Sequence, residues 1–307
     1  PHWGSATVIG YDWRCLQDAT QDHYDLLYML GYGSAWGCWW MRKRHGQKVW
    51  INVDGLEWAR SKWGLIARTY LRVMEWVSSW APTRIIADAQ AIASHYQQRY
   101  PRSAACTCIA YGADVPNPVT ALQGNQLPHQ LNAHDYILVV ARPEPENHLL
   151  EIIQGYQLAG ISWPLVIVGD VKSHNSYQRK LLSLASNQVL FVGGIYDPAA
   201  LTALRLQAAC HVHAHSVGGT NPSLLEAMAC SSLIIALDNP FNREVAHDAA
   251  LYFQTPQQLA AHFQAIHADP HIHHYLQIRA CQRVRSHYSW DLIATAYEQL
   301  IHAEVAS

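Results

Sequence analysis

The 307-residue sequence carries little charge: Asp, Glu, Lys and Arg together make up only 14% of it, and the formal net charge is −2. Such a chain lacks the basic surplus that attracts nucleic-acid phosphates, so we expect no nucleic-acid partner. It also lacks an apolar run of the roughly 20 residues that a membrane-spanning helix needs, and no secretory signal peptide is visible. These absences predict a cytoplasmic protein.

Cysteine pairing is absent as well, since the seven cysteines are odd in number and form no Cys-x-x-Cys motif. This pattern favours a reduced protein with free thiols. No Asp-x-Asp motif is present to hold a metal ion. His211, His213 and His215 alternate along the chain and would share one face of a strand. Imidazoles so placed can bind zinc, although we favour a site without metal.

Hydrophobic residues make up 50% of the chain, and this length and composition favour two domains with substantial cores. Short apolar runs alternate with amphipathic helical patterns, which predicts parallel sheets covered by helices on both faces. The strand candidates are 6–11, 25–31, 48–55, 84–89, 106–112, 136–142, 164–170, 188–194, 210–216 and 232–238. The helical candidates include 57–80, 90–99, 147–159, 177–186, 198–208 and 222–229.

A stretch rich in Pro, Asn, Gln and Gly, at residues 111–135, separates the two series of strands. We therefore predict an α/β protein with two Rossmann-like domains that face each other across a cleft, at 1–115 and 135–288, joined by a linker at 116–134. A last helix within 289–307 can pack on either domain, and a return to the first one is common in two-domain proteins of this build. Ligands of such sheets bind outside the carboxyl ends of the strands.

The segment HSVGGTNPSLLEAMAC, residues 215–230, joins a glycine turn directly to an apolar helix. Gly218 and Gly219 can adopt backbone angles that let main-chain amides approach a ligand. Thr220 or Asn221 can cap the helix, and the proline that follows suits its first position.

One acid, Glu226, lies about one turn inside this helix. The free amides and the dipole at a helix N-terminus favour an anion such as a phosphate. Glu226 can accept hydrogen bonds from neutral hydroxyls such as those of a ribose. The alternative interpretation is an ordinary capped helix with a solvated acid.

Two motifs, GGTNPSLLEAMAC (218–230) and DNPFNREVAHDAALYF (238–253), resemble the C-terminal domain of retaining family-4 glycosyltransferases, which have the GT-B fold. Four further motifs are similar to one bacterial branch of that family. They are INVDGLEWARSKWG, RIIADAQAI, IAYGAD and VVARPEPENH, which begin at residues 51, 84, 109 and 139. That branch contains rhamnosyltransferases and related enzymes of cell-surface polysaccharide biosynthesis.

The resemblance implies a retaining hexosyltransferase that moves a sugar, with rhamnose as one candidate. The donor would be a nucleotide-diphosphate sugar, and the acceptor a growing cell-surface glycan or a polyprenyl-linked molecule. It implies no metal and no cofactor, and it adds peripheral contact with the inner face of the membrane to the expected cytoplasmic location. Two alternatives stay open: a nucleotide-sugar epimerase on the same scaffold, and a catalytically silent partner subunit that binds nucleotide.

Positions that match the family's motifs acquire roles from the resemblance. Arg142 matches the basic residue that neutralises the diphosphate, a task that suits a planar guanidinium. Glu226 matches the acid that binds the ribose, and Gly219 and Thr220 match backbone donors to the diphosphate and the donor sugar. Tyr196 lies where the family holds the nucleotide base.

Asp54 occupies a strand end where many relatives carry a His that faces the reacting sugar, so Asp54 and Arg142 are the predicted catalytic residues. His215 and the helix-capping Asn221 are expected to contact the donor. Nothing before Thr7 supplies the strand and Gly-rich loop that open the family's first domain, so the resemblance suggests an incomplete N-terminal domain.

Two further donor-binding positions depart from the family pattern. Gly218 stands eight residues before Glu226, where relatives often place a second acid, and Asn147 stands five residues after Arg142, where relatives often place a Lys. Losing the acid removes a contact to the donor sugar, and losing the Lys leaves Arg142 and the helix N-terminus to stabilise the diphosphate. We interpret both departures as a change in donor choice, and the alternative is a loss of activity.

The stretch 57–80 combines basic and tryptophan side chains, namely Arg60, Lys62, Arg68, Arg72, Trp58, Trp63, Trp76 and Trp80. A helix with basic and aromatic positions can lie in a membrane interface. A helix packed on the domain core, with a solvated basic edge, is the interpretation that we favour.

Overall fold

The computed structural model describes residues 6–122, 131–173 and 175–306. These residues form two compact units. Unit 1 contains residues 6–110, 217–219 and 293–306, and unit 2 contains the other described residues. Each unit is built on one parallel sheet, which confirms the predicted α/β fold class with two Rossmann-like units.

The strands are β1 (Leu27–Leu30), β2 (Val49–Val53), β3 (Arg84–Ala87), β4 (Ala105–Cys108), β5 (Ile137–Val140), β6 (Leu165–Val168), β7 (Val189–Phe191), β8 (Cys210–His213), β9 (Ile234–Leu237) and β10 (Ala250–Phe253). The helices are α1 (Ala6–Asp18), α2 (Trp36–His45), α3 (Leu65–Trp80), α4 (Gln90–Arg99), α5 (Pro118–Leu122), α6 (Leu149–Ala159), α7 (Ser176–Leu182), α8 (Pro198–Gln207), α9 (Pro222–Ala229), α10 (Pro240–Ala246), α11 (Pro256–Ala268), α12 (His274–His287) and α13 (Trp290–Val305). None of the helices in the described part of the chain has the length and hydropathy needed to cross a membrane.

Strands β1 to β4 lie in chain order across the sheet of unit 1, and each neighbouring pair is parallel. Every residue of β2 is buried, as expected for a parallel strand covered by helices on both faces. Its polar residue, Asn52, donates its side-chain amide to the hydroxyl of Tyr28 at 2.9 Å, so this buried polar group has a partner.

Most of α13 belongs to unit 1. Its Ile293 packs in a cluster with Trp50 and Ile86 of the sheet. At the far end of the helix, Glu304 accepts an ion pair from Arg84 at 3.0 Å, and its carbonyl accepts a hydrogen bond from Lys48 at 2.5 Å. The C-terminal helix is therefore held on the sheet of unit 1 at both of its ends.

The sheet of unit 2 has the strand order β10-β9-β8-β5-β6-β7, with all neighbours parallel. From the central strand β5 the chain proceeds outward through β6 and β7, and then returns to β8 on the other side of β5. The loops that follow β5 and β8 consequently leave the sheet in opposite directions. A crevice opens at such a switch point, outside the carboxyl ends of the strands.

The core of unit 2 lies on both faces of this sheet. Ile137 and Val139 of β5 face the cluster that contains Phe263, whereas Leu138 faces a second cluster with Leu204. Successive side chains of a strand point to opposite faces, so β5 is buried on both sides. Its position at the centre of the sheet fixes the loop that follows it.

The predicted strand at 6–11 is wrong, because these residues belong to helix α1. Their β-branched side chains favour a strand locally, but such propensity is easily overridden by packing. Further along α1, Trp13 stacks against Trp36 and Trp40 of α2, with ring centroids 5.1 and 4.7 Å apart. These contacts stabilise a helix–helix interface, which the six residues 6–11 considered alone could not reveal.

The predicted continuous helix at 57–80 is also wrong at its start, since a 3₁₀ turn, Glu57–Ala59, precedes α3. Gly64 has extended backbone angles (φ −70°, ψ 171°) and separates the two elements. Arg60 and Lys62 form ion pairs with Glu57 at 2.7 and 2.8 Å. Strand β10 was not predicted, because its four-residue run follows α10 almost directly and is too short to stand out.

Candidate functional site

A cavity of about 580 Å³ opens at the carboxyl ends of β5, β6 and β8, at the switch point of unit 2. We call it the switch-point cavity. Its polar lining residues are Arg142, Glu144, Asn147, Asp170, Lys172, Gln178, Tyr196, His213, His215, Asn221 and Ser223. The structure thus brings together five residues that the sequence analysis selected from three separate segments of the chain.

The N-terminus of α9 forms one wall of this cavity. Asn221 is the cap residue, and its side-chain oxygen accepts a hydrogen bond from the amide of Ser223 at 3.0 Å. Pro222 takes the first helical position. The hydroxyl of Ser223 donates to the carbonyl of Val140 at 3.1 Å, so the helix is fastened to the end of β5. The positive end of the helix dipole therefore lies beside the cavity.

Arg142 follows β5 and is exposed at the cavity wall. Its carbonyl accepts hydrogen bonds from the side chain of Asn147 and the amide of Glu144, both at 2.8 Å. Its guanidinium, in contrast, forms no hydrogen bond or ion pair with any residue that the structure describes. A fixed backbone with an uncompensated cation beside a helix N-terminus suits an anionic ligand.

Asn147 joins the loop after β5 to the loop after β8. It is buried, and besides its bond to Arg142 its side-chain oxygen lies 2.8 Å from the Nδ1 of His215, which donates to it. The carbonyl of His215 accepts hydrogen bonds from Asn239 and Asn242. An amide can donate and accept at the same time, whereas a Lys can only donate. Asn147, at the position where the resemblance leads one to expect a Lys, therefore links and fixes both loops.

His213 lines the same cavity from β8 and is only 5% exposed. Burial, reinforced by the neighbouring His215, lowers the pKa of His213 to about 3, so the imidazole is neutral. Its Nε2 has no hydrogen-bond partner among the described residues. Buried polar atoms are normally paired, so this nitrogen is an exception in the wall of the cavity. The alternation at 211–215 was its signal in the sequence.

A metal ion has no evident set of ligands within the described ranges: no group of three or more His, Cys, Asp or Glu side chains there is arranged to hold one. His211 is fully buried and does not line the cavity. Burial lowers its pKa well below the ordinary value, and Arg205 and His213 act in the same direction.

A second cavity of unit 2, of about 480 Å³, lies next to the first. We call it the Glu226 cavity, and its polar lining residues are Tyr111, Asp114, Tyr196, Asp197, Thr202, Arg205 and Glu226. Ile195, Tyr196 and Pro222 line both cavities, so the two adjoin each other. Glu226 is half exposed here, and Arg205, which the sequence analysis missed, approaches its Oε2 to 2.5 Å.

Tyr196 stands between the two cavities and is 83% exposed. Its hydroxyl donates to Asp170 at 2.6 Å, and the other oxygen of Asp170 accepts from the amide of Gly194 at 2.7 Å. The hydrogen bonds from Tyr196 and Gly194 lower the pKa of Asp170. An exposed ring held at one end offers a flat surface on which a planar group can stack.

The glycines of the donor motif lie outside both cavities of unit 2. Gly218 and Gly219 are grouped with unit 1, and Gly218 has a left-handed φ of 144°. A Cβ at Gly219 would lie 1.9 Å from an oxygen of Asp88, so only glycine fits there. Thr220, the first residue of the return to unit 2, is buried.

Asp54 lies in unit 1, directly after β2, and lines a cavity of about 530 Å³. The other polar or aromatic lining residues are Tyr32, Glu57, Lys62, Trp63 and Tyr70. Asp54 is exposed and forms no hydrogen bond or ion pair with the residues described in the structure. This carboxylate is therefore available to a ligand of unit 1.

Comparison with protein families matches the two parts of the chain to different models. A model described as "Glycosyl transferases group 1" matches residues 128–283. A model described as a domain of unknown function, DUF1972, matches residues 1–114. A search of curated proteins gave no significant sequence match.

Solved structures with the same fold include a sucrose-phosphate synthase from Thermosynechococcus elongatus, at 20% identity and a TM-score of 0.73, covering 92% of this chain and 74% of that one. HepE from Anabaena in complex with UDP gives 16% identity and a TM-score of 0.77, covering 94% and 81%. A glycosyltransferase from Rickettsia africae gives 13% identity and a TM-score of 0.73, covering 99% and 83%. At these identities the likeness establishes a shared fold, the GT-B fold.

Proposed function

The chain belongs to the group 1 glycosyl transferases, and from this premise we propose that it is a retaining, metal-independent hexosyltransferase. Its donor would be a nucleotide-diphosphate sugar. One observation carries this proposal: the uncompensated guanidinium of Arg142 and the N-terminus of α9 line one cavity, which adjoins a second cavity with the carboxylate of Glu226. A cation and the positive end of a helix dipole, beside a carboxylate that can accept from hydroxyls, complement a diphosphate joined to a ribose.

We assign each part of the donor by its chemistry. The diphosphate would lie between Arg142 and α9, because a guanidinium and a helix N-terminus both stabilise phosphate oxygens. The ribose hydroxyls would donate to Glu226, and the base would stack near Tyr196. The sugar would contact His215, while the Asn147 link and the Asn221 cap would hold the adjoining loop and helix in place.

Leaving-group stabilisation would supply most of the catalysis. The bond between the anomeric carbon and the diphosphate oxygen breaks, and negative charge develops on the departing diphosphate. Arg142 would neutralise that charge from a backbone position that the fold fixes before the reaction. The acceptor hydroxyl bonds to the same carbon and passes its proton to the departing diphosphate oxygen, and we assign Asp54 to catalysis at the reacting sugar. Retention would proceed without an enzymic nucleophile.

The donor and acceptor belong to this proposal as well. Anabaena HepE, solved with UDP and with UDP-glucose, supports a nucleoside diphosphate as the leaving group. The resemblance to the rhamnosyltransferase branch favours rhamnose as the sugar, and a growing bacterial surface glycan or a polyprenyl-linked molecule as the acceptor. We place the enzyme in the cytoplasm, with peripheral contact to the inner face of the membrane.

Helix α3 of unit 1 supports the membrane contact. Leu71, Met74 and Val77 of this helix are buried. Its exposed residues are Leu65, Ile66, Thr69, Arg72, Val73, Trp76 and Trp80. This face contains no acid, because the acid of the helix, Glu75, is buried. An exposed face with tryptophans, aliphatic residues and a cation is the kind that binds the interface of an anionic membrane.

Titration calorimetry with UDP, GDP, ADP, CDP and dTDP tests the donor site. We expect at least one of them to bind, and Glu226→Gln to weaken it by about tenfold to a hundredfold, as is typical for a hydrogen bond to a charged group. Glutamine keeps an oxygen for Arg205, so the variant removes charge without emptying the site. Glu151→Gln is the matched control, since Glu151 is equally exposed and lines neither cavity.

Absence of binding by all five nucleotides would contradict the proposal, and equal affinity in both variants would remove Glu226 from it. A donor-hydrolysis assay then separates the alternatives. A transferase releases the nucleoside diphosphate slowly in water, an epimerase returns an isomerised nucleotide sugar, and a silent partner subunit changes neither.

A further inference from the structure

Arg205 is the charged residue of unit 2 that is hardest to explain as a surface group. It lies on α8 and is only 4% exposed, although its helix borders the Glu226 cavity. Its carbonyl accepts a hydrogen bond from Ser232 at 3.0 Å, which holds its backbone in place. Within the described residues its one ion-pair partner is Glu226, at 2.5 Å from Nη2.

A buried guanidinium is costly unless it is paired. Arg205 is not fully satisfied by its surroundings, since its Nε is buried without a partner in the described part of the chain. Glu226 is 48% exposed and would be well solvated without any partner. The pair is therefore not required by Glu226, and its net contribution to stability is small. What the pair does is to hold the carboxylate at one place on the cavity wall.

The geometry of the pair leaves half of the carboxylate open. Arg205 contacts Oε2 of Glu226, and a carboxylate has about four lone-pair positions on its two oxygens. Oε1 can therefore accept from a ligand while Oε2 is held. Because the side chain is immobilised in the folded protein, its freedom need not be lost when the ligand binds, which favours affinity.

We propose that Arg205 is a positioning residue that presents the open oxygen of Glu226 to the ribose hydroxyls of the donor nucleotide. This inference rests on the proposed function, because it assumes that a nucleoside diphosphate occupies the two adjoining cavities. It assigns the recognition of the ribose to a pair of residues, of which only the exposed member carries a sequence motif.

The test compares the best-binding member of UDP, GDP, ADP, CDP and dTDP with its 2′,3′-dideoxy form, by titration calorimetry. For the native chain we expect the hydroxylated nucleotide to bind about tenfold or more tightly, the size of a hydrogen bond to a charged acceptor. In Arg205→Met we expect this preference to fall below about threefold, while the affinity for the dideoxy form stays unchanged. Arg205→Lys, which keeps the charge, should restore part of the preference.

A merely structural role gives a different result, because it would weaken both nucleotides by the same factor and keep their ratio. That result would overturn the inference, as would an unchanged ratio with unchanged affinities. Should Arg205→Met fail to fold, Arg205→Gln, with a neutral side chain of similar reach, is judged by the same ratio. Arg179→Met, at an exposed site on α7, is the control. If no nucleotide binds the native chain, the proposed function itself fails, and the inference with it.

Discussion

The carboxyl ends of the two sheets differ in how their polar side chains are held. In unit 2 several of these side chains are paired with one another, as Asn147 is with His215 and Arg205 with Glu226, whereas the guanidinium of Arg142 is unpaired among the described residues. In unit 1 the strand-end carboxylate of Asp54 has no partner among the described residues, and the neighbouring helix α3 exposes a largely apolar face. A site whose groups are fixed in advance suits one defined polar ligand.

The largest expected effect lies in unit 2. Arg142→Met should lower the rate of sugar transfer by about a hundredfold or more, because removing one preorganised charge donor from a developing anion typically has an effect of this size. The fold should be unaffected, since the guanidinium forms no hydrogen bond or ion pair with the described residues. The rate is measured as the release of the nucleoside diphosphate in the presence of a glycan acceptor.

Two other variants make this result a comparison between the units. Arg179→Met, in unit 2 but outside both cavities, should leave the rate unchanged. Asp54→Asn, in unit 1, should lower transfer without changing nucleotide affinity. A normal rate in Arg142→Met, or a loss of nucleotide affinity in Asp54→Asn, would contradict the division of labour between the two units.

Acid should also separate the units. Buried His213 has a pKa of about 3 in the folded chain, below the ordinary value near 6.5 of the unfolded chain. The unfolded chain therefore binds the proton first, and unit 2 should lose about 2 kcal/mol of stability between pH 6.5 and 5 through this residue alone. In His213→Asn this part of the pH dependence should vanish, which thermal unfolding at the two pH values measures.

Unit 1 should respond only at lower pH. Burial acts to raise the pKa of Glu75, but hydrogen bonds from His95, Trp58 and Tyr100 outweigh burial and lower it. A carboxylate with a lowered pKa stabilises the fold at pH values above its ordinary pKa. That stabilisation is lost only as the pH falls through the lowered pKa. Hydrogen exchange resolved by segment should show unit 2 opening before unit 1. Simultaneous opening would show that other groups dominate.

The sequence predicted the fold class because buried parallel strands are continuous apolar runs, as β2 and β6 are. The predicted strand at 6–11 was wrong, because packing between tryptophans stabilises a helix there. Arg142 and His215 were selected from motifs, but the strand order places β5 beside β8 and so brings these residues to one cavity. Arg205 could not be predicted, because a buried charge in the middle of a helix becomes visible only when its partner on another helix is known.

The smallest expected effect concerns the exposed face of α3. Replacing Trp76 and Trp80 together by Ala should weaken binding to vesicles of phosphatidylglycerol and phosphatidylethanolamine by about tenfold, as expected from the partial burial of two aromatic side chains. The matched control is the double variant at Tyr275 and Ile278, which are similarly exposed on α12 of unit 2 and should leave vesicle binding unchanged. Sedimentation with vesicles measures both. Equal losses in the two double variants would mean that the two units do not differ in their contact with the membrane. A loss confined to the α3 variant would assign that contact to unit 1, the unit that is not proposed to bind the nucleotide.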